Sequence, residues 1–202
     1  MTGVAMGSVV KRTELLNLPN TITWLRVVAA LPIMLLLVDG SQSLLWIAFV
    51  LMVFAEVTDG LDGYVARRSG QVSAVGKILD PMADSLYRMA VFTAFAANGW
   101  LPIWMFIVLM YRDIGVSYIR IIMQQSAETM GARSSGKWKA VVQGAAQLIV
   151  VAIYAYWGAA FSSNAELVAG AALFIATIVT GYSLVDYTLS AARALTRSGE
   201  SA

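Results

Sequence analysis

The chain contains no cysteine and no histidine. Without thiols there is no disulfide, no cysteine nucleophile and no thiolate metal site, and cysteine usage carries no information on redox compartment. Without imidazole, a general base has to be a carboxylate or, less readily, a lysine or tyrosine. Soft Cys/His metal sites are excluded too, so any clustered carboxylates favour hard cations such as Mg²⁺ or Mn²⁺. Charge is scarce: 13% of residues are Asp, Glu, Lys or Arg, and 14 basic against 12 acidic side chains leave a net charge of +2. That balance gives no argument for a nucleic-acid partner. Residues 1–18 lack a long apolar run, so a cleavable signal peptide is not expected.

What is abundant is apolar surface, 59% of the 202 residues, with a mean hydropathy of +0.72. These runs predict an all-α integral membrane protein of one domain. Six spans are expected, at about Pro19–Val38, Ser43–Arg68, Gly76–Ala97, Leu101–Met123, Lys137–Ala160 and Ala165–Ala194, forming a transmembrane domain over 19–202. Ahead of them, segment 1–18 mixes Lys11, Arg12 and Glu14 with Val10, Leu15, Leu16 and Leu18. That composition suits a short N-terminal interfacial helix, or a basic tail without fixed structure. Most tryptophans fall near predicted span ends, as interfacial anchors do. The connections near Asp39–Gln42, Asn98–Trp100 and Phe161–Glu166 contain no Lys or Arg, whereas the opposite side gathers Lys11, Arg12, Arg67, Arg68, Lys77, Arg133, Lys137, Lys139, Arg193 and Arg197. The basic side is the cytoplasmic one, which predicts a multi-pass inner-membrane protein with both termini inside.

Four aspartates interrupt this apolar background. Asp59 and Asp62 are three residues apart, Asp80 and Asp84 four apart, so each pair shares a helical face. Between the pairs, Arg67, Arg68, Ser69 and Gly70 read as a short polar turn, which predicts two antiparallel helices that bring the pairs together. Four ionised carboxylates in one small site repel, so either some protonate or cations sit between them. Carboxylates are costly in a membrane, and four together point to function rather than packing.

The pattern Asp59-x-x-Asp62-Gly63-x-x-Ala66-Arg67, eight residues, Gly76-x-x-x-Asp80-x-x-x-Asp84 resembles the full signature of the CDP-alcohol phosphotransferases, with every position and spacing matched. The resemblance implies transfer of a phosphatidyl group from CDP-diacylglycerol to an alcohol, with release of CMP. It implies that Asp59, Asp62, Asp80 and Asp84 ligate Mg²⁺ or Mn²⁺, two ions per site, and that Asp84 is the catalytic base. Asp59, Asp62, Gly63, Ala66, Arg67 and Gly76 would bind CDP-diacylglycerol. The small Gly63 and Ala66 admit either a cytosine ring or a neighbouring helix. Arg67 can pair with the pyrophosphate, and Gly76 lets the turn approach closely or caps a helix. A homodimer among membrane lipids is also implied.

Arg26, Arg88, Arg112 and Arg120 fall inside or near the ends of spans, and any of them can be read as snorkelling to the interface. Arg112 and Arg120 are eight apart, hence on one stripe. Asp113 directly follows Arg112 and points about 100° away on an ideal helix, so neither guanidinium is expected to have a carboxylate partner there. The stretch Tyr111-Arg112-Asp113-Ile114-Gly115-Val116-Ser117-Tyr118-Ile119-Arg120 resembles the segment of the phosphatidylglycerophosphate synthase subgroup that carries an arginine-acid pair and a second arginine. Asn17–Thr23 with Leu25, Arg26 and Pro32 resembles that subgroup's first span, and Ser135-Gly136-Lys137-Trp138-Lys139 with Gln143 its entry to the fifth. Glycerol 3-phosphate is then the implied acceptor, its phosphate held by Arg112, Arg120 and Lys137, since a guanidinium fork fits a phosphate. Ser85 and Ala140 depart from the lysine and threonine common in that subgroup. Phosphatidylglycerol as acceptor, as in a cardiolipin synthase, and an inositol phosphate are the alternatives within the family. Outside it stands a cation-binding membrane carrier, disfavoured because the acids cluster at one interface.

The charge asymmetry has a direct test. Reporter fusions at Ser41 and at Ala202 are expected to lie on opposite faces of the membrane; the same face for both overturns the span count or the orientation.

Overall fold

The computed structural model describes residues 18–69, 76–125, 134–158 and 163–200. These form six α-helices and, among the described residues, no strand: α1 (Leu18–Asp39), α2 (Gln42–Ser69), α3 (Gly76–Ala97), α4 (Ile103–Gln125), α5 (Ser134–Trp157) and α6 (Ser163–Glu200). Helices in the expected order are found among the described residues, two of them long and apolar enough to cross a membrane. The largest departure is α6, which runs 38 residues, past the expected end at Ala194. The N-terminal interfacial segment lies outside the described residues.

Helices α1, α3 and α5 are each followed by a glycine with positive φ: Gly40 at 72°, Gly99 at 73° and Gly158 at 48°. Only glycine enters this left-handed region without a Cβ clash, so it closes the helix and reverses the chain. After α3 the reversal is tied by the Trp100 amide donating to the Phe95 carbonyl at 2.9 Å. It is braced by Asn98 Nδ2 donating to the Leu37 carbonyl of α1 at 2.7 Å.

Helix α1 packs chiefly on α3 and also on α2, α2 on α5, and α6 on both α4 and α5. Among the described residues α1 is the chief partner of α3, and α2 meets α3 through the Glu56–Arg88 ion pair. The core is built from Ile33 and Leu37 of α1, Leu45 and Met52 of α2, Val91, Phe92 and Phe95 of α3, Leu109 of α4, Val150 and Val151 of α5 and Leu173 of α6. Trp100 stacks on Tyr154 with ring centroids 3.8 Å apart, so this tryptophan belongs to the packing between α3 and α5.

Large apolar side chains are also exposed along the described helices. Leu25, Val28, Leu31 and Leu35 line an exposed stripe of α1, and Leu167, Ile175, Ile178 and Val185 one of α6. Apolar surface on this scale suits contact with lipid. Helix α5 and the Ser163–Thr196 part of α6 are long and apolar enough to cross a membrane. The charges of α2, α3 and α4 lie toward the ends that carry the signature and the arginines.

Phe92 is fully buried and meets Phe95 edge-on, whereas Phe54 of α2 is 66% exposed. Phe92→Ala is expected to cost about 3–5 kcal/mol, read as a lower melting temperature in detergent. Phe54→Ala is expected to leave melting nearly unchanged.

Candidate functional site

Two carboxylates of the signature are described in full, and both are met by α1. Asp80 and Asp84 lie one turn apart on α3; Thr23 and Arg26 lie three residues apart on α1. The two ladders match rung for rung across the helix contact. Thr23 Oγ1 donates to Asp80 Oδ1 at 2.8 Å, and Arg26 Nη1 donates to Asp84 Oδ1 at 2.8 Å as an ion pair. Arg26 is 5% exposed, so it does not snorkel; it turns inward and orients the Asp84 carboxylate. Asp59, Asp62, Gly63, Ala66 and Arg67 fall on the last turns of α2 and Gly76 opens α3. Their side chains lie outside the described residues.

One turn deeper, Arg88 of α3 meets Glu56 of α2, with Nη1 3.2 Å from Oε1 and Nη2 donating to Oε2 at 3.4 Å. Arg88 also turns inward, at 5% exposure. Space for the pair comes from α5. A Cβ at Gly144 would stand 2.9 Å from Arg88 Nη1 and 3.2 Å from both Glu56 oxygens. Gln147 Nε2 donates to the Arg88 carbonyl at 3.0 Å.

A second cluster joins α4, α5 and α6. Here the structure corrects the expectation for Arg112. Its Nη1 pairs with Asp113 Oδ1 at 3.1 Å, because a long arginine chain curls back across the 100° step that separates neighbouring positions. Arg112 Nε and Nη2 also donate to Ser183 Oγ of α6 at 3.3 and 3.0 Å. Lys139 of α5 donates to the same Asp113 oxygen at 2.6 Å. Arg120 Nη2 donates to Tyr187 OH at 3.0 Å, and both guanidiniums lie over the Tyr187 ring, at 5.7 and 5.3 Å from its centroid. Gly136 leaves room for this, since a Cβ there would stand 2.9 Å from Tyr187 OH. Lys137 is exposed on the first turn of α5, whereas Lys139 is buried within the cluster. Ser135 donates to Asp186 at 2.6 Å and Gln143 to Thr180 at 2.9 Å, which fixes the register of α5 against α6.

The chemistry of these groups divides in two. Asp80 and Asp84, with Asp59 and Asp62 on α2, are hard oxygen donors, the type that Mg²⁺ and Mn²⁺ require. Among the described residues no group of three or more potential metal ligands occurs; Asp59 and Asp62 fall outside that set. Arg112, Arg120 and Lys139 bring three positive charges to a cluster that also holds the carboxylates of Asp113 and Asp186. That imbalance suits an anion with oxygen acceptors.

The described residues combine an all-helical fold, two membrane-capable helices, a carboxylate ladder and a cation cluster, which together suit a membrane enzyme that handles phosphate. Residues 16–182 match the CDP-alcohol phosphatidyltransferase family, and the chain belongs to it, a transferase of a membrane enzyme family that is generally dependent on divalent metal. The chain is 31% identical over 182 residues to the CDP-diacylglycerol–glycerol-3-phosphate 3-phosphatidyltransferase of Bacillus subtilis (strain 168), covering 82% of this chain and 92% of that one. It is 36% identical over 110 residues to the protein of the same name from Treponema pallidum (strain Nichols), covering 53% and 51%. It is 35% identical over 109 residues to the cardiolipin synthase (CMP-forming) of Streptomyces coelicolor, covering 52% and 50%. The matched region thus spans about half the length of the last two relatives and nearly all of the first.

Residue patterns alone did not single out Thr23, Glu56, Lys139, Ser183 or Tyr187, and left Arg26 and Arg88 as snorkelling candidates. A signal was present for the arginines, as charges inside apolar helices with polar residues at i±3 or i±4. Nothing in the pattern named their partners. Asp113 lies under two cations, Arg112 and Lys139, at 4% side-chain exposure. Asp113→Asn is expected to cost about 3–5 kcal/mol, measured as a loss of thermal stability in detergent, because it strands buried charge.

Proposed function

We propose that the protein transfers a phosphatidyl group from CDP-diacylglycerol to glycerol 3-phosphate, giving phosphatidylglycerophosphate and CMP. The observation that carries this reading is the cation cluster of Arg112, Arg120 and Lys139 in a chain whose signature carboxylates lie on α2 and α3. Such an arrangement separates a pole for the donor pyrophosphate from a pole for an acceptor phosphate. Lys139 joins Arg112, Arg120 and Lys137 in holding the acceptor phosphate. Asp59, Asp62, Asp80 and Asp84 would hold two divalent ions, Mg²⁺ or Mn²⁺, which when bound neutralise phosphate charge and orient the reacting groups. Gly63, Ala66, Arg67 and Gly76 serve the CDP end. Asp84, oriented by Arg26, accepts the proton of the acceptor hydroxyl as its oxygen bonds to the diacylglycerol-linked phosphorus and the bond to CMP breaks.

This chemistry needs a lipid donor and a water-soluble acceptor at one interface. We place six helices across the inner membrane as a single domain over 19–202, preceded by an interfacial segment over 1–18. Both termini and the signature end face the cytoplasm, and the working form is a homodimer. The exposed apolar stripes of α1, α2, α4 and α6 support six crossings. A cardiolipin synthase reading keeps the same site and takes phosphatidylglycerol as acceptor; the likeness to the Streptomyces enzyme favours weighing it.

Purified protein given CDP-diacylglycerol, Mg²⁺ and a panel of acceptors is expected to release CMP with glycerol 3-phosphate. Arg120→Ala is expected to raise KM for glycerol 3-phosphate by about tenfold or more and leave KM for CDP-diacylglycerol nearly unchanged. Consumption of phosphatidylglycerol with no use of glycerol 3-phosphate replaces the reading with the cardiolipin one.

A further inference from the structure

The Glu56–Arg88 pair takes no part in the reaction as proposed, yet it occupies a telling position. Glu56 precedes Asp59 by three residues on α2, and Arg88 follows Asp84 by four on α3, so each lies one turn from a signature carboxylate on the same helical face. At 1.5 Å rise per residue the bridge sits about 4.5 Å from Asp59 and about 6 Å from Asp84 along the two axes. Among the described residues α1 is the chief partner of α3, α2 leans on α1 and α5, and the polar link between α2 and α3 is the Glu56–Arg88 pair. The chain joins α2 to α3 beyond Ser69 and before Gly76, at one end of the four aspartates; the ion pair joins them at the other. The pair is built into the bundle rather than added to its surface. Arg88 is 5% exposed, its carbonyl accepts from Gln147, and a glycine at 144 supplies the room that any side chain would take.

We infer that Glu56 and Arg88 are positioning residues that hold α2 and α3 at the separation at which carboxylates from both helices close on the same cations. The inference rests on the four-carboxylate metal reading above. Ligands from two elements bind an ion well only when their separation is held to a few tenths of an ångström, and partners beyond the ligand shell typically change metal affinity by about 10–100-fold. Gly144→Ala offers a charge-neutral lever on the same device, because its Cβ would push directly on Arg88 Nη1 and both Glu56 oxygens.

The test is Mn²⁺ binding to the full chain in detergent, followed by electron paramagnetic resonance of free Mn²⁺, with melting temperature recorded without metal. The double variant Glu56→Gln/Arg88→Gln removes both charges and leaves neither stranded. It is expected to weaken Mn²⁺ binding by about 10–100-fold, with KM for glycerol 3-phosphate unchanged. Gly144→Ala is expected to weaken Mn²⁺ binding in the same direction by a smaller factor. Mn²⁺ affinity within twofold of wild type in both variants, whatever happens to melting, overturns the positioning role and leaves the pair as packing alone. Asp80→Asn is the control: if it binds Mn²⁺ as wild type does, the carboxylate metal reading fails first, and the inference falls with it for that separate reason.

Discussion

Charge buried inside a helical bundle must find a counter-charge or a polar partner, and here most of those partners come from a neighbouring helix, a requirement that orders the structure. Lipid is as apolar as the core, so burying leucine gives little drive for one membrane helix to choose another. Directional polar links decide instead. Arg26–Asp84 binds α1 to α3, Arg88–Glu56 binds α3 to α2, and Lys139–Asp113 binds α5 to α4. Arg112 with Ser183 and Arg120 with Tyr187 then bring in α6. Each helix is thus held by at least one contact that slipping by a turn would break.

Much of the fold was legible because membrane helices announce themselves by length and composition. Gly76–Ala97 was read to the residue, and the loops near Gly40 and Gly99 fell where the apolar runs stopped. The failures have a common physical origin. Apolar periodicity reports which face of a helix is greasy, but in lipid both faces are, so the pattern says little about which helix packs on which. The turn after Arg67 argued for α2 beside α3, which the Glu56–Arg88 pair links, but it gave no hint that among the described residues α3 lies chiefly against α1, where Thr23 and Arg26 reach Asp80 and Asp84. No local rule links positions 57 or 58 residues apart.

The site was legible in the same uneven way. The aspartates stood out because four carboxylates in an apolar chain are expensive. The arginines stood out for the same reason, but their direction did not: a long flexible side chain near a helix end can reach either water or the bundle. Arg26 and Arg88 were free on paper to reach water and are buried in the structure. Arg112 shows the limit of ideal geometry. A 100° step separates Cβ directions, not the tips of side chains as long as a guanidinium's, and Asp113 is within its reach. Lys137 and Lys139, two residues apart, point to different faces, and the helix packing leaves Lys137 exposed and buries Lys139.

The glycines complete this logic from the opposite direction. Gly136 and Gly144 are both on α5 and both stand where a Cβ would strike a charged or hydroxyl group that arrives from another helix: Tyr187 in one case, Arg88 and Glu56 in the other. Helix propensity disfavours glycine there by about 1 kcal/mol each relative to alanine. That cost is small beside the several kcal/mol of desolvation that an ion forced out of its pairing geometry would face. Helix α5 therefore serves as the wall against which both the carboxylate-bearing pair α2–α3 and the α4–α6 pair, with the arginines on α4 and their hydroxyl partners on α6, are set. Its small residues fix how close each polar link comes, which makes the spacing between the two poles a property of α5 as much as of the residues that carry the charge.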